Sequence, residues 1–167
     1  MTSWLVTGGA GYIGAHVARA FLVEGIKPVI VDDLSSGRRE FVPEGAQFVQ
    51  GSILDTGLLT DALREYDCQG VVHVAGFKYA GVSVQQPLHT YTQNVTGTVS
   101  VLEAMAEAGV DRYVFSSSAA VYGTPDVDVV TEDLPLRPEL PYGESKLIGE
   151  WLLADQMRAR PSLRGTN

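Results

Sequence analysis

The sequence predicts an α/β protein built on a doubly wound parallel sheet, and three observations carry that expectation. Short apolar runs rich in β-branched residues alternate with longer stretches of helical character along the whole chain. The runs are apolar on both faces, as strands buried in a parallel sheet are, and the alternation implies right-handed crossovers. A glycine-rich turn, Thr7-Gly8-Gly9-Ala10-Gly11-Tyr12-Ile13-Gly14, closes the first apolar run and opens the first helical stretch.

The elements follow in order. Residues 4–6 read as a strand, the turn follows, and a helix over 12–24 stops at Gly25, where a left-handed cap is expected. A second strand over 29–31 ends at Asp32, and a third covers 47–50. A helix over 58–66 leads to a fourth strand, 71–74. One long helix is expected over 87–108, opened by Pro87 and stopped by Gly109. A fifth strand covers 113–116. Residues 123–141, with Pro125, Pro135, Pro138 and Pro141, read as a loop that folds over a site, and a last helix covers 142–158. The chain reaches Asn167 just after that helix, so the expectation is one domain over 1–167 whose sheet is cut before its last strands. Strand 113–116 would then be an apolar edge prone to self-association.

Composition excludes several functions. A chain of 167 residues, 45% hydrophobic, is long enough for one real core, and a net charge of −8 argues against gripping nucleic acid or an anionic membrane. No apolar run approaches the roughly 20 residues of a membrane span. Met1-Thr2-Ser3 leads straight into the first strand, which leaves no room for a signal peptide and predicts a soluble cytoplasmic protein. The one cysteine, Cys68, reads as a small buried hydrophobe. His16, His73 and His89 lack metal-ligand spacing, so no metal is expected, and His73 reads as a packed strand residue.

Chemistry concentrates at three places. In the glycine turn, Gly8, Gly11 and Gly14 allow a tight turn and close approach of a pyrophosphate to the positive end of a helix, the fingerprint of a Rossmann-type dinucleotide site. Asp32 stands where that fingerprint expects an acid for the adenosine ribose; its charge favours NAD over NADP, while Arg38 and Arg39 read as solvated. At the ends of the fourth and fifth strands lie Val74-Ala75-Gly76, small enough for a cofactor to cross, and Ser116-Ser117-Ser118. Lys78, by spacing alone, is a surface lysine. No histidine is placed to make Ser118 a nucleophile, so a hydrolase is not supported. In Tyr142-Gly143-Glu144-Ser145-Lys146, a phenol and an ammonium stand one helical turn apart on one face. An ammonium beside a phenol favours the phenolate, which lets a phenol trade protons near neutral pH. Together the three strings point to nicotinamide redox chemistry on an alcohol.

Six strings carry a resemblance over nearly the whole chain: TGGAGYIGAH from Thr7, VDDLSSG from Val31, HVAGFKYAGVSVQQPL from His73, NVTGT from Asn94, FSSSAAVYG from Phe115 and PYGESKLIGE from Pro141. In this order and spacing the chain resembles the N-terminal part of the extended short-chain dehydrogenases/reductases, within them the UDP-glucose 4-epimerase family of galactose metabolism. Ala119-Ala120 stand where the related dehydratases place an acidic pair. The resemblance implies a tightly held NAD, a UDP-hexose substrate and a homodimer through the 87–108 and 142–158 helices. Tyr142 would be the base on the sugar C4 hydroxyl, Ser118 would orient that hydroxyl, and Lys146 would hold the nicotinamide ribose, with Lys78 also at the substrate. The implied cofactor contacts are Gly8, Gly11, Tyr12, Ile13 and Gly14; Asp32, Asp33, Leu34, Ser35, Ser36 and Gly37; Ser52 and Ile53; Val74, Ala75, Gly76, Phe77 and Lys78; Gln93 and Asn94; and Ser118, Tyr142 and Lys146. Ser52, Gln93 and Asp33 depart from the family's usual Asp, Asn and Asn. The resemblance also implies that the strand after the tyrosine helix, the uridine loops and the substrate domain are missing, and that the chain alone turns nothing over. A non-catalytic NAD-binding fragment and an epimerase of another UDP-sugar remain alternatives.

Overall fold

A computed structural model describes residues 2–167. Six parallel strands form one sheet in the order β3-β2-β1-β4-β5-β6. They are β1 (Ser3–Thr7), β2 (Lys27–Asp32), β3 (Gln47–Gln50), β4 (Cys68–His73), β5 (Arg112–Phe115) and β6 (Arg164–Thr166). The sequence direction reverses between β1 and β4, the topological switch point where an open α/β sheet leaves a crevice beyond the strands' carboxyl ends.

Helix α1 (Tyr12–Val23) packs on β1 and β2. The main core lies on the other face, where Leu5, Val29, Val31, Val71, Tyr113 and Phe115 meet α2 (Thr56–Glu65), α5 (Gly97–Ala108) and α6 (Pro141–Ala159). Strict alternation along the strands places Val6 and Ile30, equally buried, outside that cluster. Helix α2 begins two residues ahead of the expected 58–66 because the Asp55 carboxylate caps it, accepting from the Leu58 amide at 2.9 Å. Gly25 and Gly109 are both left-handed, at φ +72° and +74°, as the helix-stop reading required. No helix among the described residues is long and apolar enough to cross a membrane.

Two expectations need correction. The helix over 87–108 is not one α-helix: α4 (Pro87–Tyr91) passes through a π-helical turn, Thr92–Thr96, into α5, and a short α3 (Ala80–Ser83) precedes it. The wider turn draws Asn94 into the interior, where its side chain is fully bonded.

The second correction concerns the sheet. Strand β6 does follow the tyrosine helix, pairing Arg112, Tyr113 and Val114 of β5 with Arg164, Gly165 and Thr166. The expectation that the sheet ends at an exposed β5 is therefore wrong, and with it the ground for self-association through that edge. Arg164-Gly165-Thr166 has no apolar alternation to betray a strand. It is held from elsewhere: Leu163 is buried in the main core, the Arg164 amide donates to the Asp111 carbonyl at 2.7 Å, and Leu153 of α6 covers Gly165. A Cβ on Gly165 would stand 2.5 Å from the Leu153 Cδ1 methyl, so any larger residue there would require the Leu153 side chain to shift.

Candidate cofactor and proton-transfer site

A cavity of about 840 Å³ opens at the carboxyl ends of β1, β2, β4 and β5. Its first wall is the glycine turn. Gly8 adopts φ +69° and lies against β4's extension, where a Cβ would fall 2.8 Å from the Ala75 amide nitrogen. At Gly14 a Cβ would stand 2.3 Å from the Gly8 carbonyl oxygen, so the turn can close only on glycine. Helix α1 starts at Gly11 with no side-chain cap, leaving its first amides without a capping oxygen. Those amides and the helix dipole favour an anion. Gly11, Tyr12, Ile13 and Gly14 line the cavity here.

Asp32 ends β2 as a buried carboxylate with both oxygens engaged: Oδ2 accepts from the Ala10 amide at 3.0 Å and Oδ1 from the Leu34 amide at 2.8 Å. It thereby ties the glycine turn to the 33–37 loop and holds Leu34 at φ +61°, a left-handed conformation unusual for that residue. Asp32 also lines the cavity. Asp33, Ser35, Ser36 and Gly37 complete this wall.

The far wall is formed by β4, β5 and α6. Val74, Ala75, Gly76, Phe77 and Lys78 cross the cavity after β4, with Gln93 behind them. Gly76 has φ +154°, and a Cβ there would lie 2.7 Å from Asn94 Oδ1, so Asn94 and the Gly76 backbone are mutually fitted. Ser116, Ser117, Ser118, Tyr142 and Lys146 close the site. Lys146 is buried, its ammonium donating to the Ser116 carbonyl at 2.8 Å and standing 5.1 Å from the centre of the Phe115 ring. No carboxylate among the described residues partners it, and burial pulls its pKa down from 10.5 to about 8. Ser118 Oγ accepts from the Ala120 amide at 3.2 Å, which fixes the hydroxyl at the cavity rim.

Most of the residues named from the sequence converge on this cavity; three do not line it. Leu34 contributes only its amide to Asp32. Ser52 turns its hydroxyl to the Leu54 amide at 3.2 Å, leaving Gly51 and Ile53 to face the cavity. Asn94 stands behind the wall, bonded to Phe77 and Ser145. Sequence reasoning did not assign Val31, Gly51, Tyr79 or His89 a place in the lining. Tyr79 and His89 both pack edge-on to Phe77, 5.4 and 5.0 Å between ring centres; the aromatic run Phe77-Lys78-Tyr79 was the available signal.

Fold and site together define a Rossmann-type α/β domain whose glycine-turn cavity also takes in a tyrosine–lysine pair. The chain belongs to the NAD dependent epimerase/dehydratase family, whose model matches residues 4–167. It is 46% identical over 150 residues to the UDP-glucose 4-epimerase of Lactobacillus helveticus, covering 90% of this chain and 46% of that protein. The Bacillus subtilis UDP-glucose 4-epimerase is 41% identical over 158 residues, covering 90% of this chain and 47% of that one. Among solved structures, UDP-glucose 4-epimerase from Brucella ovis in complex with NAD superposes with a TM-score of 0.95 at 39% identity, over 99% of this chain and 50% of that one. The Bifidobacterium longum enzyme in complex with NAD+ and UDP gives 0.92 at 34%, over 98% and 51%. The chain spans about half the length of the curated relatives it matches.

Proposed function

We propose that this chain is the NAD-binding, proton-transferring part of a UDP-glucose 4-epimerase. The observation that carries the reading is the convergence of the glycine turn, Asp32, Ser118 and the Tyr142–Lys146 pair on one cavity. The donor set fits NAD: uncapped α1 amides for a pyrophosphate, and a buried carboxylate for the adenosine ribose hydroxyls. The complexes of the Brucella ovis and Bifidobacterium longum proteins support the same cofactor.

NAD, when bound, supplies a hydride acceptor that can return the hydride. This chain's residues do the rest. Tyr142 takes the proton from the sugar C4 hydroxyl as that carbon is oxidised to a ketone, then returns it to the oxygen when the other face is reduced. Ser118 orients the hydroxyl, and Lys146 binds the nicotinamide ribose while keeping positive charge near the phenol. Lys78, at the mouth, contacts the substrate. The hydride chemistry belongs to the cofactor; geometry and electrostatics belong to the protein.

Two expected outcomes test the reading. Asp32→Asn keeps an acceptor for one of the Ala10 and Leu34 amides but removes the charge that repels a 2′-phosphate. Calorimetric titration of both cofactors should show the unaltered chain preferring NAD, and the variant losing about tenfold of that preference, the equivalent of about 1.4 kcal/mol. Equal affinities in the unaltered chain would refute the assignment of Asp32. A homodimer is the second expectation, supported by Leu88 of α4 and Trp151 of α6, which remain 81% and 57% exposed on neighbouring helices. Trp151→Glu should shift a sedimenting dimer to monomer, and a monomer already present in the unaltered chain would remove the proposal.

A further inference from the structure

One buried histidine, His73, takes part in nothing the proposed chemistry uses, yet it sits in the middle of a hydrogen-bonded line that crosses the domain. At one end is Thr7, the first residue of the glycine turn. Its Oγ1 accepts from the Val74 and Ala75 amides at 3.2 and 3.3 Å and lies 2.7 Å from His73 Nδ1. His73 Nε2 lies 3.2 Å from Thr98 Oγ1, and Thr98 in turn donates to the Asn94 carbonyl at 2.6 Å. The Asn94 side chain donates to Ser145 Oγ at 2.8 Å, and Ser145 donates to the Tyr142 carbonyl at 2.7 Å. All the linking residues are buried: Thr7, Thr98 and Ser145 at 0%, His73 at 1% and Asn94 at 4% exposure.

The protons can be placed only one way. Thr7 Oγ1 already accepts two amides, so its own proton goes to Nδ1. The Thr98 proton is committed to the Asn94 carbonyl, so Thr98 can only accept, and Nε2 must carry the ring proton. A neutral imidazole protonated on Nε2 satisfies every group; the other tautomer leaves two hydroxyls in conflict. Burial, and after it the Lys146 charge, hold the ring's pKa down to about 3, in keeping with a neutral side chain.

We propose that His73 is a positioning residue: it locks the start of the glycine turn to the π-turn carrying Asn94, and through Asn94 and Ser145 to the first turn of the helix bearing Tyr142. It lines no part of the cavity and acts only through this line of bonds. The π-turn is what makes the connection, since it swings Asn94 inward between Phe77 and Ser145. The usefulness of such a lock to catalysis rests on the function proposed above; its existence does not. In a low-dielectric interior a fully satisfied network of this kind is stiff, and an incomplete one is costly.

Amide hydrogen exchange on the chain tests it, with His73→Phe, His73→Gln and Cys68→Ala compared. Phenylalanine keeps the ring against Tyr113 and Phe115 but removes both bonds. Glutamine offers an acceptor and a donor at a similar spacing, and Cys68→Ala opens the same strand without touching the line. In His73→Phe, exchange should rise about tenfold at both the glycine turn and the first turn of α6, the equivalent of a net buried hydrogen bond. His73→Gln should restore much of the protection, and Cys68→Ala should leave both ends unchanged. Nitrogen NMR should find Nδ1 unprotonated in the unaltered chain. Faster exchange confined to residues beside position 73, an equal effect in Cys68→Ala, or a proton on Nδ1 would each overturn the proposal. NAD titration of the unaltered chain is read separately: failure to bind would refute the proposed function and leave the exchange result to decide the lock.

Discussion

Turnover of UDP-glucose to UDP-galactose is expected to fall roughly 10²–10⁴-fold when Tyr142 is replaced by phenylalanine in a protein of the relatives' length carrying this chain, the scale on which general acid–base groups act. Tyr142 lines the cavity together with Ser118 and stands one helical turn before Lys146. Its backbone is held independently of its hydroxyl: the Tyr142 amide donates to the buried Ser83 Oγ at 3.2 Å, and its carbonyl accepts from Ser145. Removing the oxygen should therefore leave the helix and the cavity wall in place. NAD affinity is expected to stay within about twofold, because the α1 amides and Asp32 are untouched. Rate and calorimetric titration, measured on the same preparation, separate the two effects. A near-normal rate would assign the proton to another group; a lost affinity would mean that the phenol holds the cofactor.

Lys146→Met is expected to make the folded chain more stable, although it removes a residue of the proposed chemistry. The ammonium is buried with one carbonyl and an aromatic face for company, and no carboxylate. Its pKa is held at about 8, whereas in the unfolded chain it stands at 10.5. Below pH 8 both states are charged, and the folded state bears the full cost of burying that charge, about 3 kcal/mol by linkage. Between pH 8 and 10.5 the folded state releases its proton first, so the unaltered chain gains stability as pH rises through that window. Loss of the bond to Ser116 offsets about 1 kcal/mol, so methionine should stabilise by about 2 kcal/mol at pH 7. The difference between variant and unaltered chain should shrink above pH 8, vanish at about pH 9.5 and change sign above it, because the lost bond to Ser116 remains once the pH-dependent cost is gone. Taking the difference cancels the other groups that titrate there. Urea unfolding at pH 7, 8.5 and 10 reads it; a variant less stable at pH 7 would show that the lysine is better solvated than its burial implies.

The elements that carry their own chemistry are legible in the sequence alone. Gly8 and Gly14 mark a turn that only glycine can close, and Asp32, Tyr142 and Lys146 are read from their spacing to that turn or to each other. The β-branched runs mark five of six strands because apolar residues on both faces are themselves the condition for a buried parallel strand. Gly25 and Gly109 mark helix ends because a left-handed residue is a local requirement. What is local to a segment is written in that segment.

Tertiary structure alone decided the rest. β6 is a strand because Leu163 is drawn into the core and Leu153 covers Gly165, neither of which its own three residues announce. Asn94, an implied cofactor contact in the sequence, is turned into a buried clamp by a π-turn that local propensity does not favour. Ser52 faces its own backbone rather than the cavity. The tautomer of His73 is set by Thr7 and Thr98, 66 positions before it and 25 after it in the chain. Hydrogen-bond partners so far apart meet only once the sheet has brought β1, β4 and α5 together, and a pattern confined to a few neighbouring residues cannot carry that information.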